Sequence, residues 1–509
     1  MTSSPPCPGD AELFNTLNEL GAIDRAAEQN EAYRLPGDIV PAIGENTFMR
    51  RDKSQVVLYG RIFLDSWSYR LTPPQAVLVA LMNGERTLDD ISQLLQEYAG
   101  GTKGLNDFKV RRVLAWVEAL DPNKGAFMFA HKESAALLRK KVFDPKDFLI
   151  PEDRVQLLPD LEKPISMMWM PTSACQTKCV YCYATRSPVP QSRLLSDTRV
   201  KELFAEAAAV GIRQVNLDGG DALCRENIPE LLSYGTSLDL RFDLSTKCYV
   251  SKDVAKALYD AGLRIVQFGF DAPYPELFDR VVGKKGHFYR TIESIQNCVD
   301  AGIVARTNSI LIQETLPYIR ELVAFLHTLP LRDMKIAAAF RSLHRPREGL
   351  LLTEEQKRWL RRQVSTLEQE YPEGKIKFEC QSDYLSMSEE EREVAFARYP
   401  RCGVGRESIV IAPDGSVVMC EQSPQTEELV VGSVRERSIV EVWQSDEVAR
   451  FKEVTREQFE GTVCYDCEEF EHCFHRKGGC IILSMKAYGT RCAPHPACPR
   501  APRYDIPLQ

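Results

Sequence analysis

The sequence predicts an α/β protein: a partial (β/α)6 barrel, preceded by a small winged-helix domain and followed by a cysteine-rich domain. Three observations carry that expectation. Six apolar segments between Pro164 and Phe340 alternate with helical stretches. Residues 36–130 read as short strands followed by helices. Eight of the sixteen cysteines lie beyond residue 400, at spacings suited to ligation. At 509 residues the chain has room for about three domains. The expected boundaries are an arm over 1–35, the winged-helix domain over 36–130, a connector over 131–163, the barrel over 164–372 and the cysteine domain over 373–509.

In the first domain VVLYGRIFLD (56–65) alternates like a hairpin strand pair. LTPPQAVLVALMNG follows as a helix that Gly84 stops, and Thr87 caps a second helix, with Asp89 and Asp90 in its first turn. FKVRRVLAWVEAL (108–120) has apolar residues at helical spacing and makes a third. In the connector HKESAALLRKK reads as helix, and Pro145, Pro151 and Pro159 break it.

The periodicity then changes. PISMMWM (164–170) is an apolar run of the kind buried on both faces of a sheet. RQVNL, RFDLST, RIVQFGF, IVARTNSIL and MKIAAAF follow, separated by helical stretches; Ser196 caps the first of these, and the box Thr353–Gln356 opens the helix after the sixth strand. Repeated strand–helix units give a parallel sheet with right-handed crossovers. Eight units would close a full barrel, so six leave it open, with its active site at the C-terminal strand ends.

Five residues beyond the first strand begins Cys175-x3-Cys179-x2-Cys182. A closed metal site asks for four ligands, and this loop supplies three thiolates. An iron–sulfur cube held this way keeps one iron open to an amine and a carboxylate. Directly after the second strand comes Gly219-Gly220-Asp221. Paired glycines there permit close backbone approach, and the carboxylate can accept from an ammonium group.

The cysteine spacing, with aromatic Tyr181 before the third cysteine, resembles the cluster loop of radical S-adenosylmethionine (SAM) enzymes. That resemblance implies a 4Fe–4S cluster on Cys175, Cys179 and Cys182, with SAM bound beside Tyr181, Gly219, Gly220 and Asp221. Gly219–Asp221 resembles the family's Gly-Gly-Glu, with a carboxylate one methylene shorter. Asp271 stands where the family commonly reads Ser-Leu-Asp-Gly; here the serine position is Gly269 and the last glycine is Ala272. Ser245 and Asn308 are candidate replacements for that serine. The chemistry implied is that of a 5′-deoxyadenosyl radical, with the protein supplying geometry.

The tail reads Cys402-x12-Gly415-x4-Cys420, then Cys464-x2-Cys467-x5-Cys473, Cys480, Cys492 and Cys498. It resembles the SPASM domain, which holds auxiliary 4Fe–4S clusters; a zinc ribbon would show two regular half-sites instead. The resemblance implies one cluster on Cys464, Cys467, Cys473 and Cys498, and another on Cys402, Cys420 and Cys480. Ser408 occupies the usual place of the second cluster's fourth ligand, leaving Cys492 or an open iron. Six residues separate Cys473 from Cys480 where the family has three. His472 and His475 flank these cysteines.

The first domain resembles the PqqD-like domains that grip a precursor peptide's leader by adding it as a strand to an open sheet edge. The whole therefore resembles a radical SAM/SPASM peptide maturase. Its expected reaction is hydrogen-atom abstraction followed by a thioether or carbon–carbon cross-link, with a flavodoxin- or ferredoxin-type reductant. Peptide epimerisation, maturation of a sulfatase- or dehydrogenase-type protein, and a non-catalytic electron carrier are the alternatives. Cys224 and Cys248, after strands two and three, are candidate hydrogen-atom donors. The net charge of −8 argues against a nucleic-acid partner. No run of 18 apolar residues suggests a membrane span, and the start MTSSPPCPGD lacks a secretory pattern, so the expected location is cytoplasmic, where sixteen cysteines point to ligation over disulfides.

Overall fold

The computed structural model describes residues 37–44, 46–62, 65–98, 127–138, 141–150, 160–184, 189–343, 348–379, 384, 387–399, 403, 405–423, 429–477 and 479–504. The chain divides into two compact units, Met1–Glu162 and Lys163–Gln509. The expected arm over 1–35 and the helix expected over 108–120 lie outside the described residues.

The first unit is richer in strand than two strands and three helices. Strands β1 (Ile39–Ile43), β2 (Thr47–Asp52), β3 (Gln55–Ile62) and β4 (Asp65–Leu71) come first, and β2-β3-β4 form an antiparallel meander. β5 (Phe127–His131) pairs antiparallel with β1. The expected hairpin within 56–65 is instead a single central strand. Within β3, position 60 is glycine because a Cβ there would strike the Trp67 ring and the Asn46 carbonyl oxygen. The helices Pro73–Leu81 and Leu88–Tyr98 start where their caps place them: Thr72 and Gln75 form a capping box, and Asp90 N–H donates to Thr87 Oγ1 at 3.1 Å. HKESAALLRKK yields a 3-10 segment, Lys132–Leu137, since His131 is taken by β5.

The second unit is built on one ten-stranded sheet. The six expected strands are β6 (Ser166–Trp169), β7 (Gln214–Leu217), β8 (Arg241–Thr246), β9 (Ile265–Gly269), β10 (Val304–Leu311) and β11 (Met334–Ala338), parallel and in sequential order. Ser196 and the Thr353–Gln356 box cap their helices as expected. The sheet continues past the sixth strand: β12 (Ile376–Glu379) joins β11, and β13 (Ser408–Ile411) joins β6 in parallel. β14 (Ser416–Val418) and β15 (Val430–Ser433) then extend that edge antiparallel. Strands of the C-terminal region thus cover both edges that an open six-stranded sheet would expose.

Apolar faces on both sides of the sheet bury Trp169, Phe204, Phe268, Phe270 and Phe278. The parallel arrangement puts the C-terminal ends of β6–β11 on one rim. The loops leaving that rim carry Cys175, Cys179, Cys182, Gly219–Asp221 and Asp271, while Ser245 and Asn308 lie inside β8 and β10.

Candidate active site

The loop 171–184 leaves β6 and is clamped from two directions. On one side Lys178 and Val180 N–H groups donate to the carbonyls of Val282 and Val281 at 2.8 and 2.9 Å. On the other, Gly220 and Asp221 N–H groups donate to Thr172 and Ala174 carbonyls at 2.9 and 2.7 Å. Gly220 is glycine for contact with this loop: a Cβ would meet Ser173 C at 2.6 Å and press into the Ala174 carbonyl. Gly219 adopts φ +102°, and a Cβ there would come within 2.7 Å of Met170 Cβ.

Held so, Cys175, Cys179, Tyr181 and Cys182 line one cavity of about 360 Å³ together with Gly219, Gly220 and Asp221. Burial pushes the Cys179 thiol up, opposed by the nearby Lys247 cation. Among the described residues no three His, Cys, Asp or Glu side chains converge on a single-ion site. A cube, which gives each thiolate its own iron, needs the wider spread of three thiols around a shared cavity.

Opposite the thiols the lining is polar. Gln267 Nε2 donates to Ser245 Oγ at 3.0 Å. Gln267 Oε1 and Asn308 Oδ1 are buried and without a hydrogen-bond partner, although both residues line the cavity. Orphaned acceptors beside a thiol-lined pocket call for a donor-bearing ligand. SAM, with its amine and hydroxyl groups, fits that lining.

The Tyr181 hydroxyl donates to Asp271 Oδ2 at 2.6 Å, and Ile310 N–H to Asp271 Oδ1 at 2.9 Å. Asp271 therefore faces the cluster loop from a fully buried position. Asp221 behaves differently from the expectation of an ammonium acceptor. Its Oδ2 accepts from Lys247 N–H at 2.7 Å and Cys248 N–H at 3.0 Å, its Oδ1 from Leu223 N–H at 3.2 Å, and Thr246 Oγ1 lies 2.8–2.9 Å from both oxygens. The short side chain turns inward and pins β8 to the Gly219–Asp221 turn.

Residues 169–326 match the model of the Radical SAM superfamily, and residues 402–468 that of SPASM, an iron–sulfur cluster-binding domain. The chain is a radical SAM/SPASM enzyme. Its cofactors are SAM and 4Fe–4S clusters. It is 26% identical over 363 residues to a PqqA peptide cyclase of Rhizobium meliloti (strain 1021), spanning 70% of this chain and 92% of that one. It is 25% identical over 342 residues to the mycofactocin maturase MftC of Mycolicibacterium smegmatis, spanning 66% and 83%. The fold is that of Streptococcus suis SuiB, solved bound to precursor peptide SuiA: TM-score 0.61 at 16% identity, over 92% of this chain and 100% of that one.

In the SPASM region of this radical SAM enzyme the thiols fall into two neighbourhoods. Burial pushes the Cys464 thiol up to about 12, reinforced by Cys498, Cys467 and Cys473 close by. Arg500 Nη1 donates to Cys467 Sγ at 3.2 Å, and Arg392 binds the carbonyls of Pro496 and Ala501 at 3.1 and 3.0 Å. Cys420, Cys473 and Cys480 line a second cavity of about 100 Å³. Cys492 packs on the Phe459–Phe470 cluster that also holds Cys464. Cys402 lies outside the described residues, and Ser408 sits in β13. The longer spacing before Cys480 is taken up by a π-helical turn, His472–Lys477, a form frequent at functional sites.

Three cavity residues escape sequence reasoning. Lys247 directly follows β8 and reaches over Gly269. Gln267 looks like an interior strand residue. Asp218 precedes the paired glycines; its carboxyl is pushed up to about 6 by burial and by Glu421 across the cavity. Cys224 and Cys248 stand with sulfurs 3.5 Å apart, and neither lines the cavity.

Proposed function

We propose that this chain matures a ribosomally made precursor peptide by removing a hydrogen atom from it and closing a thioether or carbon–carbon cross-link. One observation carries the reading: thiols, paired glycines and orphaned amide acceptors meet in one cavity at the rim of a parallel sheet, next to a SPASM domain. Cys175, Cys179 and Cys182 would hold the SAM-cleaving cluster. Gly219, Gly220 and Tyr181 would shape its SAM side, while Asp221 would fix the loop that bears Lys247. When bound, the reduced cluster supplies an electron that splits SAM into methionine and a 5′-deoxyadenosyl radical.

Cys464, Cys467, Cys473 and Cys498 would hold one auxiliary cluster. Cys402, Cys420 and Cys480 would hold the other. The PqqA cyclase and MftC likenesses, each over about two thirds of this chain or more, support a peptide substrate. The first unit would take the leader on a sheet edge, β2 and β4 being the outer strands of its meander. A flavodoxin- or ferredoxin-type protein would deliver the electron. Among the described residues no helix is long and apolar enough to cross a membrane. Epimerisation gains no support, because Cys224 and Cys248 do not line the cavity.

The test is anaerobic. Reconstituted, reduced enzyme should convert SAM to 5′-deoxyadenosine, and with a short peptide encoded beside its gene should yield a product lighter by two hydrogen atoms. Failure to form 5′-deoxyadenosine sinks the enzymatic reading. Unchanged peptide mass with inverted chirality sinks the cross-link.

A further inference from the structure

Cys420 and Cys480 line the smaller of the two thiol cavities, and the chain next to Cys420 walls the larger one. Glu421 and Gln422 both line the active-site cavity, together with Phe340 from the end of β11. Gln422 N–H also donates to Cys420 Sγ at 3.5 Å, so one residue touches the thiol and the cavity. A lysine joins these parts. Lys486 lies on the helix Ile481–Tyr488, which begins directly after Cys480. Its amine donates to Gln422 Oε1 at 2.9 Å and stands 4.2 Å from the centre of the Phe340 ring.

That lysine is 4% exposed, and its polar partner is a neutral amide. Among the described residues no carboxylate forms an ion pair with it. Burial pulls the amine down to about 8, against the Cys480 and Cys420 thiols and Glu421, which favour its charge. Arg341 brings a second cation close by, and its Nη1 is buried without a hydrogen-bond partner. Two cations so placed call for an anion. An iron–sulfur cube with its thiolates is one, and each electron it takes makes it one unit more negative.

We propose that Lys486 raises the reduction potential of the auxiliary cluster that Cys420 and Cys480 share, its buried charge favouring the reduced state. Attraction to the cluster grows when an electron arrives, and an amine shielded from water is weakly screened. Arg500, which donates to Cys467 of the other auxiliary cluster, is exposed, so solvent and salt blunt its charge. The position gives the tuning a purpose. Once a hydrogen atom has been taken from the peptide, closing the cross-link frees one proton and one electron. The proton goes to water, and the electron finds an acceptor at the cavity wall. Lys486 takes no atom from the peptide; it acts through the cluster alone.

This rests on the auxiliary-cluster assignment above, and the experiment separates the two. Reconstituted enzyme without peptide is titrated anaerobically at pH 7 with dithionite and redox mediators, and electron paramagnetic resonance follows each cluster. The double variant Cys420→Ala, Cys480→Ala identifies this cluster's signal by its loss. At the solution potential that half-reduces the wild-type cluster, Lys486→Met should lower its ratio of reduced to oxidised form about tenfold, a shift of about 59 mV to more negative potential. The signals of the other clusters should not move. Lys486→Gln, also neutral, carries the same expectation should Lys486→Met fail to load iron, and Lys486→Arg should stay near the wild type. An unchanged ratio in the neutral variants, an equal shift in every cluster, or a shift in Lys486→Arg as large as theirs overturns the role of Lys486. If the double cysteine variant keeps all the wild type's iron and signals, the cluster assignment itself falls.

Discussion

The Tyr181 phenol and the Asp271 carboxylate are joined by a 2.6 Å hydrogen bond that ties the cluster loop to the end of β9. Asp271 is fully buried, so losing the donor leaves a desolvated acceptor behind. Tyr181→Phe should cost about 1.5–3 kcal/mol in the loop's anchoring, since hydrogen bonds to charged groups fall in that range. The measurement is iron retention by the first cluster during dilution, compared with the auxiliary clusters. Equal retention in the variant and the wild type would remove this role for the pair.

Asp221 offers a sharper contrast. Its carboxylate is filled by the Thr246 hydroxyl and three backbone N–H groups, two of them, Lys247 and Cys248, directly after β8. Asp221→Glu, which writes the family's own residue into the chain, adds a methylene that these donors cannot accommodate. The expected outcome is a lower Tm and no gain in SAM affinity. Tighter SAM binding by Asp221→Glu would show that the carboxylate works on the ligand after all.

Asp218 gives a pH dependence. Its Oδ1 accepts from Gly219 N–H at 2.8 Å, but burial and Glu421 raise its pKa to about 6 from 3.8. The folded state therefore holds the proton more tightly than the unfolded chain. That contribution is complete below pH ~4 and is lost as pH rises through about 6. Asp218→Asn should stabilise the enzyme at pH 8, by up to about 3 kcal/mol, and leave it nearly unchanged at pH 4. Thermal midpoints at the two pH values check this; equal shifts at both would contradict it.

The sulfurs of Cys224 and Cys248 are 3.5 Å apart, and the Cys248 S–H lowers the pKa of the Cys224 thiol. Cys224 should react with iodoacetamide faster at pH 7.5 than the buried Cys298, whose thiol is pushed up to about 12. Cys248→Ala should slow that alkylation. Peptide mapping reads both, and since neither sulfur lines the cavity, Cys224→Ala should leave 5′-deoxyadenosine formation unchanged.

What the sequence discloses follows the range of each signal. The six central strands were legible because each is an apolar run in one stretch of chain, and Cys175–Cys182 because its spacing is local. Lys247 over Gly269 was not, since the pair spans 22 positions across two strands and neither residue carries a pattern by itself. The hydrogen bonds of Asp221 were not legible either, since its oxygens take backbone N–H groups of Leu223, Lys247 and Cys248, which no side-chain motif displays. β12 to β15 were missed as sheet members because each has only three or four residues, too few for alternation to register.

Gly220 joins the legible to the hidden. Paired glycines suggest close approach of a ligand, yet the nearest atoms to a Cβ at Gly220 belong to the backbone of Ser173 and Ala174, immediately before the first cluster cysteine. Backbone cannot step aside as a flexible side chain can, and two hydrogen bonds, Gly220 to Thr172 and Asp221 to Ala174, hold the strands of this contact together. Gly220→Ala should therefore displace Cys175 and lose the iron of one cluster while the SPASM thiols, on other elements, keep theirs. Iron content falling by about one cluster's share, with 5′-deoxyadenosine abolished and the auxiliary spectroscopic signals intact, is the expected pattern. A Gly220→Ala enzyme that retains all its iron but fails to bind SAM would instead assign this glycine to the ligand.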